Sequence, residues 1–315
     1  MSYYMVNMKK TTIIVLFTAA ILFSACSINK LAVDAVSDVL GGTEGGNVFT
    51  ADNDPQLVKD ALPFSLKLYE TLLQKSPDHT GLLLNTGMGF IMYANAFVHT
   101  PADMLPDVEY RKQEEMLERA KKMYLRGRDY VLRAIEVRHP GFMELVETEN
   151  SGLLDSALFE EMTKEDVPYL YWCSAGWFAA ISVDFFDLDL SVDLSKASAL
   201  MEKAYQLDPD FNDGLIHQFY ILYYSSLPAD MGGDEQKARH HFEKAVELSE
   251  GTDPTPYVSL ATTLSIKHQD REEFVTLLEK ALAIDPNADP DNRLLIIVMQ
   301  DKARWYLDHI EDFFI

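Results

Sequence analysis

Aspartates crowd one segment of the chain, where they could supply oxygen ligands for a divalent cation or carboxylates for catalysis. They are Asp184, Asp187, Asp189 and Asp193. Their spacing matches no calcium template, and an envelope hydrolase would need a second carboxylate facing them across a cleft. We therefore expect a solvated loop without a metal ion at these positions.

A second run of oxygen-bearing side chains, Asp285 to Asp291, imitates a calcium loop at alternate positions. Pro290 stands where such a loop requires glycine, and Ile296 stands where it requires a bidentate glutamate. The run therefore predicts a turn between two helices.

The histidines match no metal site of known spacing. Glu136 and His139 form one E-x-x-H motif, whereas a dimetal bundle needs two such motifs and two further glutamates. His240 and His241 are adjacent on one helix and point in different directions. The sequence also lacks phosphate-binding glycine loops, the dinucleotide fingerprint, H-E-x-x-H and G-x-S-x-G. We predict a non-enzymatic protein without a cofactor.

The N-terminus carries the pattern of an exported lipoprotein. Two lysines precede the apolar run Thr11–Leu22, which is too short to span a bilayer stably. Phe23-Ser24-Ala25-Cys26 then resembles a bacterial lipobox, whose cysteine is diacylated on its thiol and becomes the mature N-terminus. We expect residues 1–25 to be a lipoprotein signal peptide and Cys26 to be the lipidation site. The alternative is an ordinary signal with an unmodified cysteine.

A lipidated Cys26 would make the protein periplasmic, anchored to a bacterial membrane, and in contact with that membrane through its N-terminal lipid only. The 50 Asp and Glu against 27 Lys and Arg give a net charge of −23, which repels phosphate backbones and anionic lipid. Nucleic acid is thereby excluded as a partner. Cys173 would be the one remaining thiol, so no internal disulfide forms.

Apolar residues after the glycine-rich stretch 41–46 recur mostly at helical spacing, which predicts an all-α fold. We expect residues 26–53 to be a lipid-anchored tether and residues 54–315 to be a single helical-repeat domain. Prolines should end four of the helices, because a proline disfavours helical geometry in the residue before it. They are Pro77, Pro140, Pro209 and Pro286.

Three helices share one spacing of small and large apolar residues. The residues are Ala197, Met201 and Ala204; Ala238, Phe242 and Ala245; and Phe274, Leu278 and Ala281. This spacing resembles the second helix of the tetratricopeptide repeat. We predict a tetratricopeptide-repeat-like helical solenoid of about four degenerate repeats, with insertions at residues 100–117 and 141–167 and a C-terminal capping helix near residues 292–313.

Two helices in the first-helix position of this array are apolar nearly all round, and such helices line the concave face of a solenoid. By the repeat count, eight of their residues should face the concavity, where they would bind a partner or a hydrophobic small molecule. They are Leu84, Met88, Ile91, Met92, Leu170, Cys173, Trp177 and Ile181. The alternative is that the insertions cover this face and make it core.

A more specific pattern occupies Met231–Ala245, followed by Ser249-Glu250-Gly251 and Gln269-Asp270-Arg271. With the export signal, it resembles the T-component family of tripartite ATP-independent periplasmic (TRAP) transporters from about residue 50 to the end. The resemblance implies an accessory, non-enzymatic subunit that binds the periplasmic solute-binding (P) subunit, which delivers ligand to the membrane subunits. A homo-oligomer that forms a channel fits this role. The alternative function is a general helical-repeat scaffold for envelope protein assembly.

Overall fold

The computed structural model describes residues 47–148, 153–185 and 187–315. Within these ranges all regular secondary structure is helical and no strand forms, which confirms the predicted all-α fold. Cys26, the predicted signal peptide and most of the predicted tether lie outside the described residues.

The longer helices are labelled α1 to α10 in chain order. They are α1 (Pro55–Leu73), α2 (Thr80–Ala94), α3 (Tyr110–Arg138), α4 (Val167–Val183), α5 (Leu194–Leu207), α6 (Phe211–Ser226), α7 (Glu235–Leu248), α8 (Thr255–Leu260), α9 (Arg271–Ala283) and α10 (Arg293–Asp308). Shorter helices lie at Asn47–Thr50, Thr100–Asp103, Phe142–Thr148, Ala157–Glu161 and Leu188–Ser191. Helix α8 continues through a π-helical turn at Ala261–Ser265.

Local sequence signals set many helix ends. Helices α1, α3, α5 and α9 all end within four residues of the prolines predicted to stop them. The Asp54 carboxylate caps α1 by accepting hydrogen bonds from the backbone N–H groups of Gln56 and Leu57. The Asp234 carboxylate caps α7 in the same way.

The predicted insertions differ from expectation in one respect. Helix α3 begins at Tyr110, so the second half of the segment 100–117 forms the first two turns of a 29-residue helix. The described part of 141–167 folds into short helices that pack on α3 and α5. Their anchors are Phe142 and Phe159, which are fully buried and stack with ring centroids 6.0 Å apart.

Consecutive helices pack on one another, with the most extensive contacts between α2 and α3, α3 and α4, α6 and α7, and α4 and α5. At the contact of α2 with α3 the backbones nearly touch. A Cβ atom on Gly87 would lie 2.6 Å from the carbonyl oxygen of Gly127, and a Cβ atom on Gly127 would lie 2.7 Å from that of Gly87. Glycine at both positions therefore allows this close approach. The number of repeats and their tetratricopeptide character remain predictions.

Helix α10 joins the two ends of the described chain. It packs against α8 and α9, and it also contacts α1 and the short helix Asn47–Thr50. Leu294 is buried in the same hydrophobic core as α1 and α2. Arg293 Nη1 donates a hydrogen bond of 3.3 Å to the carbonyl oxygen of Ala51. The predicted C-terminal helix is confirmed, and it closes the array instead of only covering its last helix pair.

Helix α2 runs on through a π-helical turn at Asn95–His99 into the short helix Thr100–Asp103. Among the described residues, this 24-residue run is long and apolar enough to cross a membrane. More than half of its apolar window is buried inside the protein, against α1, α3 and α4. That burial is typical of a central core helix.

A candidate ligand site inside the helical array

Met88 and Met92, two of the predicted inner-face residues of α2, line a cavity between α1, α2 and the first turn of α10. The cavity has a volume of about 60 Å³. Most of its other lining side chains are apolar, namely Phe49, Val58, Leu62, Tyr69, Ala96, Phe97, Leu294 and Leu295. Leu84 is half-buried on the same helix and packs against the core. The apolar lining of the cavity can accept an apolar group of a ligand.

The cavity is small as it stands. A site that holds benzene has a volume of roughly 150 Å³, so a larger ligand requires side chains or α10 to move. Methionine suits such a wall, because its unbranched side chain changes rotamer easily.

Ile91 faces a different direction, toward α3 and α4. A Cβ atom built on Gly127 or on Gly176 would come within 2.7 Å of its side chain. Ile91 therefore fills the space that these two glycines leave between three helices, and it does not face the cavity.

The four predicted inner-face residues of α4 lie in the core. Leu170 and Cys173 are fully buried, and Trp177 and Ile181 are at most 3% exposed. Helix α4 is covered because α3 and α5 pack on two of its sides and α2 on a third. Burial raises the pKa of the Cys173 thiol to about 12, so this thiol is neutral at physiological pH.

Trp177 is held by a cation–π contact, with the Arg128 guanidinium carbon 4.7 Å from the ring centroid. Its indole Nε1 is buried and has no hydrogen-bond partner among the described residues. The structure therefore brings Met88 and Met92 together at one cavity and separates them from the α4 set.

Polar side chains that sequence reasoning missed lie beyond the cavity, where the run Thr80–Asp103 faces α10. His99 Nδ1 lies 3.0 Å from the Tyr124 hydroxyl oxygen. Lys302 on α10 forms no hydrogen bond or ion pair with any described residue, and burial lowers its pKa while the Asp103 carboxylate opposes that shift. Burial also raises the pKa of Tyr306 to about 12. Lys302 lies seven residues after Leu295, on the same face of α10. This spacing is the sequence pattern that could have indicated that Lys302 faces the protein.

Two of the four aspartates of the 184–193 segment, Asp184 and Asp187, form ion pairs with Lys121, and Asp193 pairs with Lys196. Lys121 Nζ lies 2.8 Å from Asp184 Oδ2 and 3.2 Å from Asp187 Oδ2. The hydrogen bond from Lys121 lowers the pKa of Asp187. In the part of the chain that the structure describes, no group of three or more His, Cys, Asp or Glu side chains could hold a metal ion.

Glu136 and His139 form hydrogen bonds at the turn that follows α3. The Glu136 carboxylate accepts hydrogen bonds from the backbone N–H groups of Gly141 and Met143. His139 Nε2 instead lies 2.9 Å from Asp166 Oδ1. These contacts fix the chain turn between α3 and the following short helix.

His241 has a buried partner that the sequence did not indicate. Its Nδ1 lies 2.8 Å from Nδ1 of His217 on α6, and both rings are nearly inaccessible to solvent. Tyr205 meets both rings edge-on, while Tyr220 and Tyr224 stack on His241. Desolvation lowers the pKa of both histidines, that of His241 to about 4.

Comparison with known protein families decides what this array belongs to. A model of the family described as TRAP transporter T-component matches residues 51–314, which include all ten helices. The chain belongs to the TRAP transporter T-component family. It is therefore an accessory subunit of a TRAP transporter, and the family is not an enzyme family.

A relative of this T component occurs in Treponema pallidum (strain Nichols), where it is an uncharacterized protein. The two chains are 36% identical over 311 residues, which cover 95% of this chain and 96% of the relative. The similarity thus spans nearly the whole of both proteins.

The first of the residues that carry the T-component resemblance, Met231–Asp234, form the turn that leads into α7. Gly232 has a φ of 102°, in the left-handed region that favours glycine. A Cβ atom on Gly233 would lie 1.8 Å from the carbonyl oxygen of Leu227, so no side chain fits there. Asp234 then caps α7. These residues shape the entry into α7.

Proposed function

We propose that this T component is a periplasmic lipoprotein, anchored through Cys26, that binds the solute-binding (P) subunit of its TRAP transporter and takes up a hydrophobic small molecule. The observation that carries the proposal is the family match over residues 51–314, which makes the chain a transporter accessory subunit. We infer that the accessory subunit acts by binding its partners. The lipobox-like tetrapeptide supports the anchor.

A tetratricopeptide-repeat-like array is the scaffold that we infer for this role. Stacked helix pairs of that kind offer extended surfaces to a protein partner. Several copies could enclose a channel, which is the oligomeric form that suits ligand transfer.

Co-purification tests the partner. The tagged full-length chain is isolated from detergent-solubilised native membranes and its associated proteins are identified by mass spectrometry. We expect a periplasmic solute-binding protein, and we expect a tagged unrelated lipoprotein not to recover it. Repeated recovery of other envelope proteins without any solute-binding protein would favour the alternative, a general scaffold for envelope assembly.

Binding inside the cavity tests the ligand. Native mass spectrometry of the purified protein should show a bound hydrophobic molecule. Met92→Glu places a carboxylate at the cavity wall and should abolish that binding with unchanged far-UV circular dichroism. Trp177 is unsuitable for this test, because it lies in the core. Replacing the exposed Leu222 by Glu provides a matched control that should retain the ligand. Unchanged binding in Met92→Glu would contradict the ligand site.

A further inference from the structure

The charge of this protein is distributed unevenly along the chain. Residues 55–138, which include α1 to α3, carry 12 Lys and Arg against 11 Asp and Glu. Residues 139–315 carry 12 Lys and Arg against 34 Asp and Glu. The negative charge of the body therefore belongs almost entirely to the chain after α3. An anionic surface can approach α1 to α3 without the repulsion that the net charge suggests.

An apolar stripe lies on the solvent side of α1. Leu57, Phe64 and Leu68 recur at helical spacing and are 56%, 75% and 42% exposed. They lie opposite Val58 and Leu62, which face the core. A row of exposed apolar side chains on one helix is typical of a surface that binds a protein or a membrane.

Exposed cations lie on α1 and on the neighbouring helix α3. Lys67 lies on α1 itself, and α3 contributes Arg119, Lys122 and Arg126 at spacings of three and four residues, which is one face of a helix. Helix α3 lies beside α1, where Arg126 pairs with Glu70. Arg126 thus lies at the contact between the two helices, and Arg119 and Lys122 are exposed on the same face of α3.

Acidic neighbours keep this side close to neutral. Lys122 Nζ lies 3.0 Å from Glu118 Oε1, and Asp60 is exposed on α1. The attraction of this side of the protein to a membrane then comes from the apolar stripe. The local balance of charge removes the repulsion that the acidic part of the chain would cause.

We propose that the α1 face, formed by Leu57, Phe64 and Leu68 with the exposed cation Lys67, rests on a phospholipid bilayer. The acidic helices after α3 are then turned away from the membrane. The inference rests on the proposed lipid anchor, because the 20 residues between Cys26 and Asn47 extend to at most about 70 Å and hold α1 near the bilayer. Binding at a membrane surface grows with buried apolar area and with attraction to anionic lipid.

Depth-dependent quenching tests this orientation. The mature lipidated protein is reconstituted in vesicles of phosphatidylethanolamine and phosphatidylglycerol that contain lipids with a nitroxide quencher. A dye is attached through Thr71→Cys beside the stripe or through Glu272→Cys on α9, both of which are exposed positions. An acylated Cys26 and the fully buried Cys173 do not compete for the dye.

We expect quenching at position 71 and none at position 272. Phe64→Glu should weaken quenching at position 71 by about tenfold. Leu188→Glu, which removes a 78% exposed leucine from the acidic part of the chain, should leave it unchanged. Omission of phosphatidylglycerol should reduce quenching at position 71 less than Phe64→Glu does.

Equal quenching at the two positions would overturn the proposal. So would protection of position 71 by a second copy of the chain or by a bound protein instead of by lipid. A free N-terminus without acyl chains, found by mass spectrometry, would instead refute the lipid anchor. The co-purification described above tests the transporter partner independently.

Discussion

His217 and His241 share a hydrogen bond inside a buried cluster of tyrosine rings, and this pair couples protein stability to pH. The unfolded chain binds protons near the ordinary histidine pKa of about 6.5, whereas the folded pair resists protonation because of desolvation. The unfolded state therefore binds more protons as the pH falls below about 6.5. Nearby Lys237, Lys244 and His240 lower the pKa values further, while Asp210 opposes the shift at His217.

We expect the free energy of unfolding to fall as the pH drops from about 6.5 toward about 4, the folded pKa of His241. Urea denaturation across this range measures the slope. In a variant with both His217→Gln and His241→Gln, the unfolding free energy should depend much less on pH. His309→Gln, at an exposed position, should leave this pH dependence unchanged. Full stability of the unaltered protein down to the lower pH would contradict this role of the pair.

Cys173 provides a second test at the residue scale. It is fully buried and its thiol pKa is raised to about 12 by burial, so thiolate is scarce and reagents cannot reach it. Maleimide should modify it only after the protein unfolds. Thr71→Cys, at an exposed position, should react at once in the folded protein. Rapid labelling of native Cys173 would show that α4 is not buried as described.

The inner-face residues show what a single sequence can predict at this scale. The spacing on α2 indicated Met88 and Met92, and both line the cavity. The same reasoning selected Trp177 on α4, which is covered by neighbouring helices. Both helices are apolar nearly all round, so periodicity could not distinguish a side chain facing a cavity from one facing another helix.

At the scale of helices, the contact of α2 with α3 depends on glycine. Gly127→Ala would place a methyl group 2.7 Å from the carbonyl oxygen of Gly87, and backbone cannot yield as a side chain does. We expect a loss of about 1–3 kcal/mol in the free energy of unfolding, measured by urea denaturation.

Gly89→Ala on the neighbouring helix α2 is the control. Its new methyl group would meet the end of the Leu66 side chain, which can change rotamer. Part of any cost is also offset by the better helix propensity of alanine. A loss equal to that of Gly127→Ala would show that backbone approach is not what makes Gly127 necessary.

Helix ends were predictable because their causes are local. Proline stops and aspartate caps act within four residues, and the structure has them at α1, α7 and α9. The early start of α3 at Tyr110 was not predicted, because repeat spacing had assigned that stretch to an insertion. The spacing between repeats therefore predicted helix bounds less well than the proline stops and aspartate caps did.

At the scale of the whole molecule, α10 links the beginning and the end of the described body. Arg293 bonds to Ala51 across 242 residues of sequence. No local pattern specifies such a contact, so the sequence predicted a terminal cap where the structure has a closing helix. The cavity exists because of this closure, since Leu294 and Leu295 form one of its walls.

Leu294→Ala tests the closure. Loss of this buried side chain should cost about 2–5 kcal/mol of unfolding free energy. It should also speed amide hydrogen exchange in α1 as well as in α10, because the two helices share a core. Leu278→Ala lies in a separate hydrophobic core that α6 to α10 share, so it should act mainly on those helices and not on α1. Unchanged exchange in α1 of the Leu294 variant would show that α10 does not hold the two ends together.

The charge distribution also belongs to this scale. Net charge alone predicted a body repelled by anionic lipid, but 34 of the acidic residues follow α3 while α1 to α3 are nearly neutral. The orientation that we propose on a membrane therefore depends on where the charges lie as well as on the apolar stripe of α1.

The central claim is that this T component works by binding a solute-binding subunit, and a direct binding titration tests it. The purified mature protein, held in detergent, is titrated with the solute-binding subunit of the TRAP transporter from the same organism, and complex formation is followed by analytical ultracentrifugation. We predict a saturable complex of fixed stoichiometry, with no complex when a solute-binding protein from an unrelated uptake system is used. Absence of a complex with the cognate protein, with and without its solute, would contradict the account.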